Sequence, residues 1–591
     1  MKNTFKAISI LILMNACAQA PNEMKNKPDA ALNAHFDTYK DDFVEHLWKL
    51  FPSWATEVGY HKFDHELTIP DDHNRGLILA FAKQHLDSLQ IFNESALSDL
   101  NKIDFHMMKD YLHQLDFNVN ELKSWQWDPS TYNVCGNFSY ILGEDYEPLN
   151  ERLKSLDQKL DQVSAYYEAA KKNLLNPTVE HTQLAIDQNL GGVAVFENDL
   201  PDSLKKATLD AAFKNTFLEK CKAASKVVHD YVAFLKDFKN ERPRSFRLGN
   251  ELYAKKFVFD IQSDYTPAQL FDSAMQRKSY LHNQMTTLSK QLWPTYFGTA
   301  AMPDDNLTLI KKMIDTLSVK HTRPEAFQET IEKQLPELEA FIKEKNLIYL
   351  DPSKPLKVRK EPAYMAGVAG ASISAPGPYD KNGNTYYNVG SLKGWPAERA
   401  ESYLREYNQY ILQILNIHEA IPGHYTQLIY SNNSPSIIKT IFGNGAMIEG
   451  WAVYGELMML ENGYGNNEPE MWLMYYKWNL RAVCNTILDI SVHTRNMTKE
   501  QAMDLLIREA FQQKAEAEGK WKRVSVTNVQ LCSYYTGFKE IYDLREAYKT
   551  KMGSSFSLKD FHQKFLSYGS APVKYIRAMM LENQATTEPV R

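Results

Sequence analysis

The segment H-E-A-I-P-G-H, His418 to His424, sets two imidazoles and a carboxylate within seven residues and puts Pro422-Gly423 between the imidazoles. A helix brings residues four apart onto one face, whereas residues six apart point in different directions. An unbroken helix therefore cannot aim His418 and His424 at one point. Proline cannot continue a regular helix, because it lacks the N–H and its ring clashes with the carbonyl four residues back. Glycine reaches backbone angles closed to other residues. Two outcomes are open. The Pro-Gly pair ends a helix and leaves His424 in a loop, or it forms a two-residue bulge that returns His424 to the face of His418.

The downstream sequence favours the bulge. His418-Glu419 opens like the metal motif H-E-x-x-H, in which two His bind zinc and the Glu is a general base. A catalytic zinc site needs three protein ligands and one open position. Glu449, in E-G-W-A-V-Y-G-E, lies 25 residues after His424, across a Ser/Asn/Pro loop. Helix–loop–helix geometry can lay it beside the two His. Glu456 is seven further on, on the same helical face. Among Trp451, Ala452, Val453, Leu457 and Met458, a carboxylate needs a partner. For Glu456 a metal-site role and a buried salt bridge stand equally.

H-E-A-x-P-G-H-x-x-Q followed by E-G-W-A-x-Y-x-E resembles a bacterial family catalogued as a domain of unknown function. That family is similar to the gluzincin metallopeptidases, which include thermolysin, the oligoendopeptidases and angiotensin-converting enzyme. F-P-S-W-A-T-E-V-G-Y-H (Phe51 to His61), G-N-E-L-Y (Gly249 to Tyr253), T-P-A-Q-L (Thr266 to Leu270) and Q-L-C-S-Y-Y-T-G, with Gln530, Tyr534 and Gly537, extend the resemblance over most of the chain. It implies zinc on His418, His424 and Glu449, and Glu419 as general base. Tyr534 and His493 would stabilise the oxyanion. Asp489 and His493, in D-I-S-V-H, match a family element; Asn485 stands where the family usually has Arg, with Arg481 one turn away. The fold so implied is mainly α, a multi-helix metallopeptidase-like architecture with a small β-sheet next to the metal-binding helix. The function implied is zinc-dependent hydrolysis of short or unfolded peptides. Two alternatives stand: a catalytically silent peptide-binding lipoprotein, and a zinc hydrolase of a non-peptide amide or ester. The retained Glu419 argues against the first.

The rest of the chain bounds these readings. A chain of 591 residues exceeds one ordinary core. A net charge of −6 and interspersed Lys and acids give no bias toward nucleic acid. Residues 1–17 resemble a lipoprotein-type signal ending at Cys17, with ordinary cleavage after Ala18 as the rival. The apolar stretch Ala7 to Met14 is too short to span a bilayer. This reading places the protein in the cell envelope, in contact with membrane only through a lipidated Cys17, or otherwise soluble in the periplasm or secreted. Cys135, Cys221, Cys484 and Cys532 show no C-x-x-C spacing.

Residues 18–28 read as a polar tether, 29–345 as a helical region walling a cleft, 346–395 as a small sheet region and 396–591 as the helical region with both motifs. Leu153, Leu156, Leu160, Val163, Tyr167, Ala170 and Leu174 alternate three and four apart, a strong amphipathic helical pattern. Between Ile348 and Trp395 short apolar runs alternate with Gly, Pro and Asn. They predict a few strands, with Asn382-Gly383 as a hairpin signal.

Overall fold

The computed structural model describes residues 28–361, 371–380 and 383–582. Cys17 and the tether up to residue 27 lie outside the described residues, as does Asn382 of the expected hairpin. The protein is mainly α-helical with one three-stranded sheet. Among the described residues no helix is long and apolar enough to cross a membrane.

The three-and-four pattern from Leu153 to Leu174 marks a buried face as expected, and each of its seven residues is buried. It runs through two helices, however, Leu149–Leu160 and Val163–Asn173. The intervening Gln162 accounts for the break. Its side-chain amide donates to the carbonyl of His65 and accepts from the N–H of Leu67, tying the joint to a distant loop. The apolar phase survives the interruption, so periodicity alone could not register it.

Two apolar cores are present. One is built from residues between Leu67 and Leu235, chiefly the helices Leu149–Leu160, Val163–Asn173, Val179–Gly192 and Ala211–Asp237. The other joins the N-terminal helices Ala30–Leu50 and Asp99–Phe117 to the whole C-terminal half. Phe442 is the apolar joint between the halves, with Tyr111 stacked on it at 4.3 Å and Phe43 edge-on at 6.1 Å. Beside it the buried Asp104 receives Lys40 at 2.7 Å and Lys439 at 2.5 Å. Removing one partner from such a buried group leaves an uncompensated charge, which is strongly destabilising.

The sheet has the order β1 (Leu356–Lys360), β3 (Thr385–Val389), β2 (Ala371–Ser374). Strand β1 runs parallel to β3 and β2 antiparallel, so β2 is an edge. The connection from β2 to β3 spans residues 375–384, longer than a two-residue hairpin turn. On the central strand, buried Tyr387 donates its hydroxyl to Asn416 at 2.8 Å. Asn416 lies in the helix Gln409–Glu419, so this bond docks the sheet on the helix that carries His418.

A tight helix crossing joins Gly445–Glu461, which carries Glu449, to Ser533–Met552, which carries Tyr534. It exists because two glycines meet. A Cβ on Gly450 would lie 2.2 Å from the carbonyl carbon of Gly537, and a Cβ on Gly537 would lie 1.7 Å from the carbonyl oxygen of Ala446. No side chain fits at either position without separating the helices. Gly450→Ala and Gly537→Ala are each expected to destabilise the protein by at least about 1–3 kcal/mol, the usual cost of overpacking. A denaturant midpoint equal to that of the wild type would contradict the close crossing.

Candidate metal centre

The His418 helix begins at Asn408, whose side chain accepts from the N–H of Tyr410 and Ile411. It ends at Glu419, and a second helix, His424–Asn432, starts at His424. The Pro-Gly pair therefore produces a full break, not a bulge within one helix. The break is tightly closed. Gly423 N–H donates to the carbonyl of Ile417 at 2.9 Å, and Ile421 N–H to that of Asn416 at 3.2 Å. A Cβ on Gly423 would stand 1.8 Å from the carbonyl oxygen of His418. From the Glu449 helix, Trp451 donates its indole N–H to the carbonyl of Pro422 at 2.7 Å, pinning the break to the third element of the site.

The break turns both imidazoles to one point. His418, His424 and Glu449 each offer a ligand atom, and these atoms lie within 4.8 Å of one another. Glu449 Oε2 is 3.4 Å from His424 Nε2 and 3.7 Å from His418 Nε2. The two rings stand perpendicular, with centroids 4.8 Å apart. On its other edge His418 donates Nδ1–H to Glu456 Oε1 at 2.7 Å. That bond leaves Nε2 as the atom facing the cluster, the arrangement by which a buried carboxylate orients a metal-binding His. Glu456 Oε1 also accepts from the indole N–H of Trp478 at 3.0 Å. Its second oxygen is buried without a hydrogen-bond partner among the described residues.

Two imidazole nitrogens and one carboxylate oxygen, with a second carboxylate behind one imidazole, form a donor set suited to a zinc-like ion. Burial alone would push the His418 pKa down. The carboxylate of Glu449, 3.7 Å away, and that of Glu456, hydrogen-bonded to the ring, raise it instead, to about 10. Burial likewise opposes charge on Glu449, yet the adjacent imidazoles of His418 and His424 hold its carboxyl far below the usual range. The cluster thus favours an ionised Glu449 balanced by positive charge, a balance that a divalent cation held by these residues would serve.

Glu419 is half-buried, and no side chain or backbone group among the described residues hydrogen-bonds it. Burial raises its pKa, while the charges of His424 and His418 pull it down and Glu449 adds to the rise. Burial raises the pKa of the Tyr387 hydroxyl on the sheet, and the charge of the Glu419 carboxylate adds to that rise. Tyr534 is close enough for Glu449 to raise its pKa, though burial is the larger cause. Its hydroxyl accepts from Arg523 at 3.2 Å.

Among the described residues His493, expected to stabilise the oxyanion, forms no hydrogen bond or ion pair with the clustered side chains. Its Nε2–H is shared between the carbonyls of Val524 and Thr527, both at 3.0 Å, and its ring lies against Tyr253. Asp489 accepts from the Tyr253 hydroxyl at 2.7 Å and from the backbone N–H of Val529 and Leu531. Together Asp489 and His493 hold the 524–531 segment that leads into the Tyr534 helix. Asn485 is buried with its Oδ1 unpartnered among the described residues. Arg481 pairs with Glu516 at 2.6 Å. Tyr387, Trp478 and Arg523 escaped the sequence reading. Of the three, only Tyr387 carried a signal, as an inward position in an alternating strand. Cys135, Cys221, Cys484 and Cys532 are all buried free thiols.

A separate cavity of about 780 Å³ lies between the Ala30–Leu50 helix, the 376–380 loop and the His424 helix. Trp48, Tyr379, Asp380 and Ile429 line it, and none of the three clustered residues does.

The family model described as "Bacterial protein of unknown function (DUF885)" matches residues 52–580. The chain belongs to this family. It is 52% identical to a "putative lipoprotein of unknown function" from Shewanella oneidensis, covering 92% of this chain and 99% of that one, with a TM-score of 0.85. A "putative lipoprotein" from Colwellia psychrerythraea shares the fold at 16% identity, with a TM-score of 0.76 over 94% of this chain and all of that one. No curated protein matches.

The break at 423 makes a selective prediction. Gly423→Ala is expected to destabilise the protein by at least about 1–3 kcal/mol, since the methyl meets backbone rather than a yielding side chain. Gly191→Ala, on an exposed helix position with open space around it, is expected to stabilise by about 0.5–1 kcal/mol. Equal unfolding midpoints for the two variants would overturn the assignment.

Proposed function

We propose that this protein is an exported zinc-dependent metallopeptidase acting on short or unfolded peptides. The observation that carries the reading is the convergence of His418 Nε2, His424 Nε2 and Glu449 Oε2, with Glu456 behind His418 and Glu419 next to His418 in the chain. A zinc ion on these three atoms would acidify a water and polarise a carbonyl. Glu419 is the general base: its carboxylate takes a proton from water and delivers it to the leaving amine. Tyr534 serves as a hydrogen-bond donor to the carbonyl oxygen as negative charge develops there. Among the described residues strand β2 is an edge of the sheet beside the His418 helix, a place where an extended peptide can add as a strand, which supports peptides as substrates. The Cys17 segment and the lipoprotein description of the Shewanella relative support a lipid-anchored protein of the cell envelope.

Purified protein is expected to carry close to one zinc per chain, measured by plasma mass spectrometry. His418→Ala, His424→Ala and Glu449→Ala should each abolish it. Glu419→Gln should retain zinc and lose about 10²–10⁴-fold in kcat, the usual contribution of acid–base catalysis. Zinc loss in Glu419→Gln with retention in Glu449→Ala would reverse the two roles.

Metabolic labelling with a fatty-acid analogue should mark the wild type and not Cys17→Ser. An unlabelled wild type beginning at Gln19 would exclude the anchor.

A further inference from the structure

The cavity of about 780 Å³ beside the sheet is of the size that holds a small ligand or a few side chains. Its walls are aromatic and acidic. Asp41, Glu45 and Trp48 fall at i, i+4 and i+7 of the helix Ala30–Leu50 and share one of its faces. The 376–380 loop supplies Tyr379 and Asp380, and Tyr60 joins them. The three rings form one cluster, with Tyr60 4.9 Å and Trp48 6.3 Å from Tyr379 between centroids. Against the carboxylates Asp41, Glu45 and Asp380, Lys354 is the one Lys or Arg among the described lining residues. Glu45 is already satisfied, accepting from the Tyr60 hydroxyl and from Lys62, each at 2.5 Å. The carboxylates of Asp41 and Asp380 have no hydrogen-bond or ion-pair partner among the described residues.

The loop is held in place by contacts on several sides. The Tyr379 hydroxyl accepts from the indole N–H of Trp48 at 3.0 Å, and the Asn432 side chain donates to the carbonyl of Pro376 at 2.9 Å. A Cβ on Gly377 would stand 2.0 Å from the carbonyl oxygen of Val58, so the loop lies directly on that backbone. A wall so fixed presents its ring and carboxylate without an ordering cost at the moment of binding. Carboxylates beside tyrosine rings attract a cation twice, by charge and by the π-face. They repel an anion, and a neutral apolar ligand would desolvate them without recompense.

The cavity also adjoins the sheet edge. Pro376, in its wall, is two residues past Ser374, the end of β2. Thr385, also in its wall, lies two residues before Tyr387 on the same face of β3. Tyr387 in turn holds Asn416, two residues before His418. Ile373 of β2 is paired with Tyr387 and Ser374 with Tyr386, so β2 runs from the level of the His418 helix toward the cavity.

We propose that the cavity is a specificity site for a basic residue, in which Asp41 and Asp380, with the Tyr379 and Tyr60 rings, take the ammonium or guanidinium of a Lys or Arg side chain in a peptide laid along β2. The cation site rests on its own residues; its use in substrate choice rests on the peptidase reading above.

The test uses acetylated, amidated alanine hexapeptides with one lysine placed at each position in turn, against the same series carrying norleucine, an apolar chain that lacks the charge. Affinity is measured by calorimetry on the full-length Glu419→Gln protein, and cleavage by mass spectrometry on the wild type. At one or more positions lysine is expected to bind about tenfold more tightly than norleucine, with wild-type KM falling in step. Asp41→Asn combined with Asp380→Asn should reduce that preference below about twofold, with zinc content and unfolding midpoint unchanged. Equal binding of lysine and norleucine at every position, or a tenfold preference surviving in the double variant, overturns the proposal. Butylammonium alone binding as tightly as the best lysine peptide overturns the peptide assignment and makes this a small-amine site. A lysine preference without cleavage of any peptide refutes the peptidase reading and leaves the cation site standing. Cleavage without a preference does the reverse.

Discussion

The contact between Gly423 and the carbonyl of His418 governs the geometry of the candidate site. Six residues separate the imidazoles, a spacing that no continuous helix can reconcile with a shared target. The chain resolves the conflict by ending one helix and starting the next within four residues, folding the second back until the 423 backbone touches the first. That approach leaves no room for a Cβ. The indole of Trp451 then fastens the break to the helix bearing Glu449, so the third residue of the cluster is positioned relative to the turn itself. A shift of one element would move all three atoms.

The same device recurs one layer away. Gly450 and Gly537 bring the Glu449 and Tyr534 helices to backbone contact, and each glycine neighbours a site residue, directly or one turn along. Small residues at both points exchange helix propensity for proximity. The compensation comes from burial. The Glu449 helix is enclosed almost all round, with Trp451, Tyr454, Met458 and Met459 fully buried, so packing and not propensity holds it.

Much of this was legible in the sequence. The apolar period of the helices, the polar and Gly/Pro-rich interval that became the sheet, and the convergence of His418, His424 and Glu449 followed from spacing and the motif resemblance. The form of the Pro-Gly feature did not: a bulge and a full break require the same residues, and only tertiary contacts separate them. His493 shows a second limit. A His and an Asp four apart on a buried helix read as chemistry, yet here both satisfy the backbone of the 524–531 segment, which must turn into the Tyr534 helix. Backbone demand of that kind has no sequence signature, because any segment can present carbonyls and N–H groups. Trp478 was equally silent, since its partner Glu456 lies on another helix.

Trp478 also explains how the region keeps opposite charges apart. Its indole N–H binds Glu456, while the guanidinium of Arg481 sits 4.9 Å from the ring centroid. One aromatic side chain thus faces the acidic half of the site with its edge and the basic half with its π-face, the orientation its quadrupole favours. Were Arg481 to pair with Glu456 directly, it would compete with His418 for that carboxylate and weaken the orientation of Nε2. Interposing the indole leaves Glu456 to the imidazole and directs Arg481 toward Glu516. Trp478 thus stands between Glu456 and Arg481, in a low-dielectric setting where such separation is felt strongly.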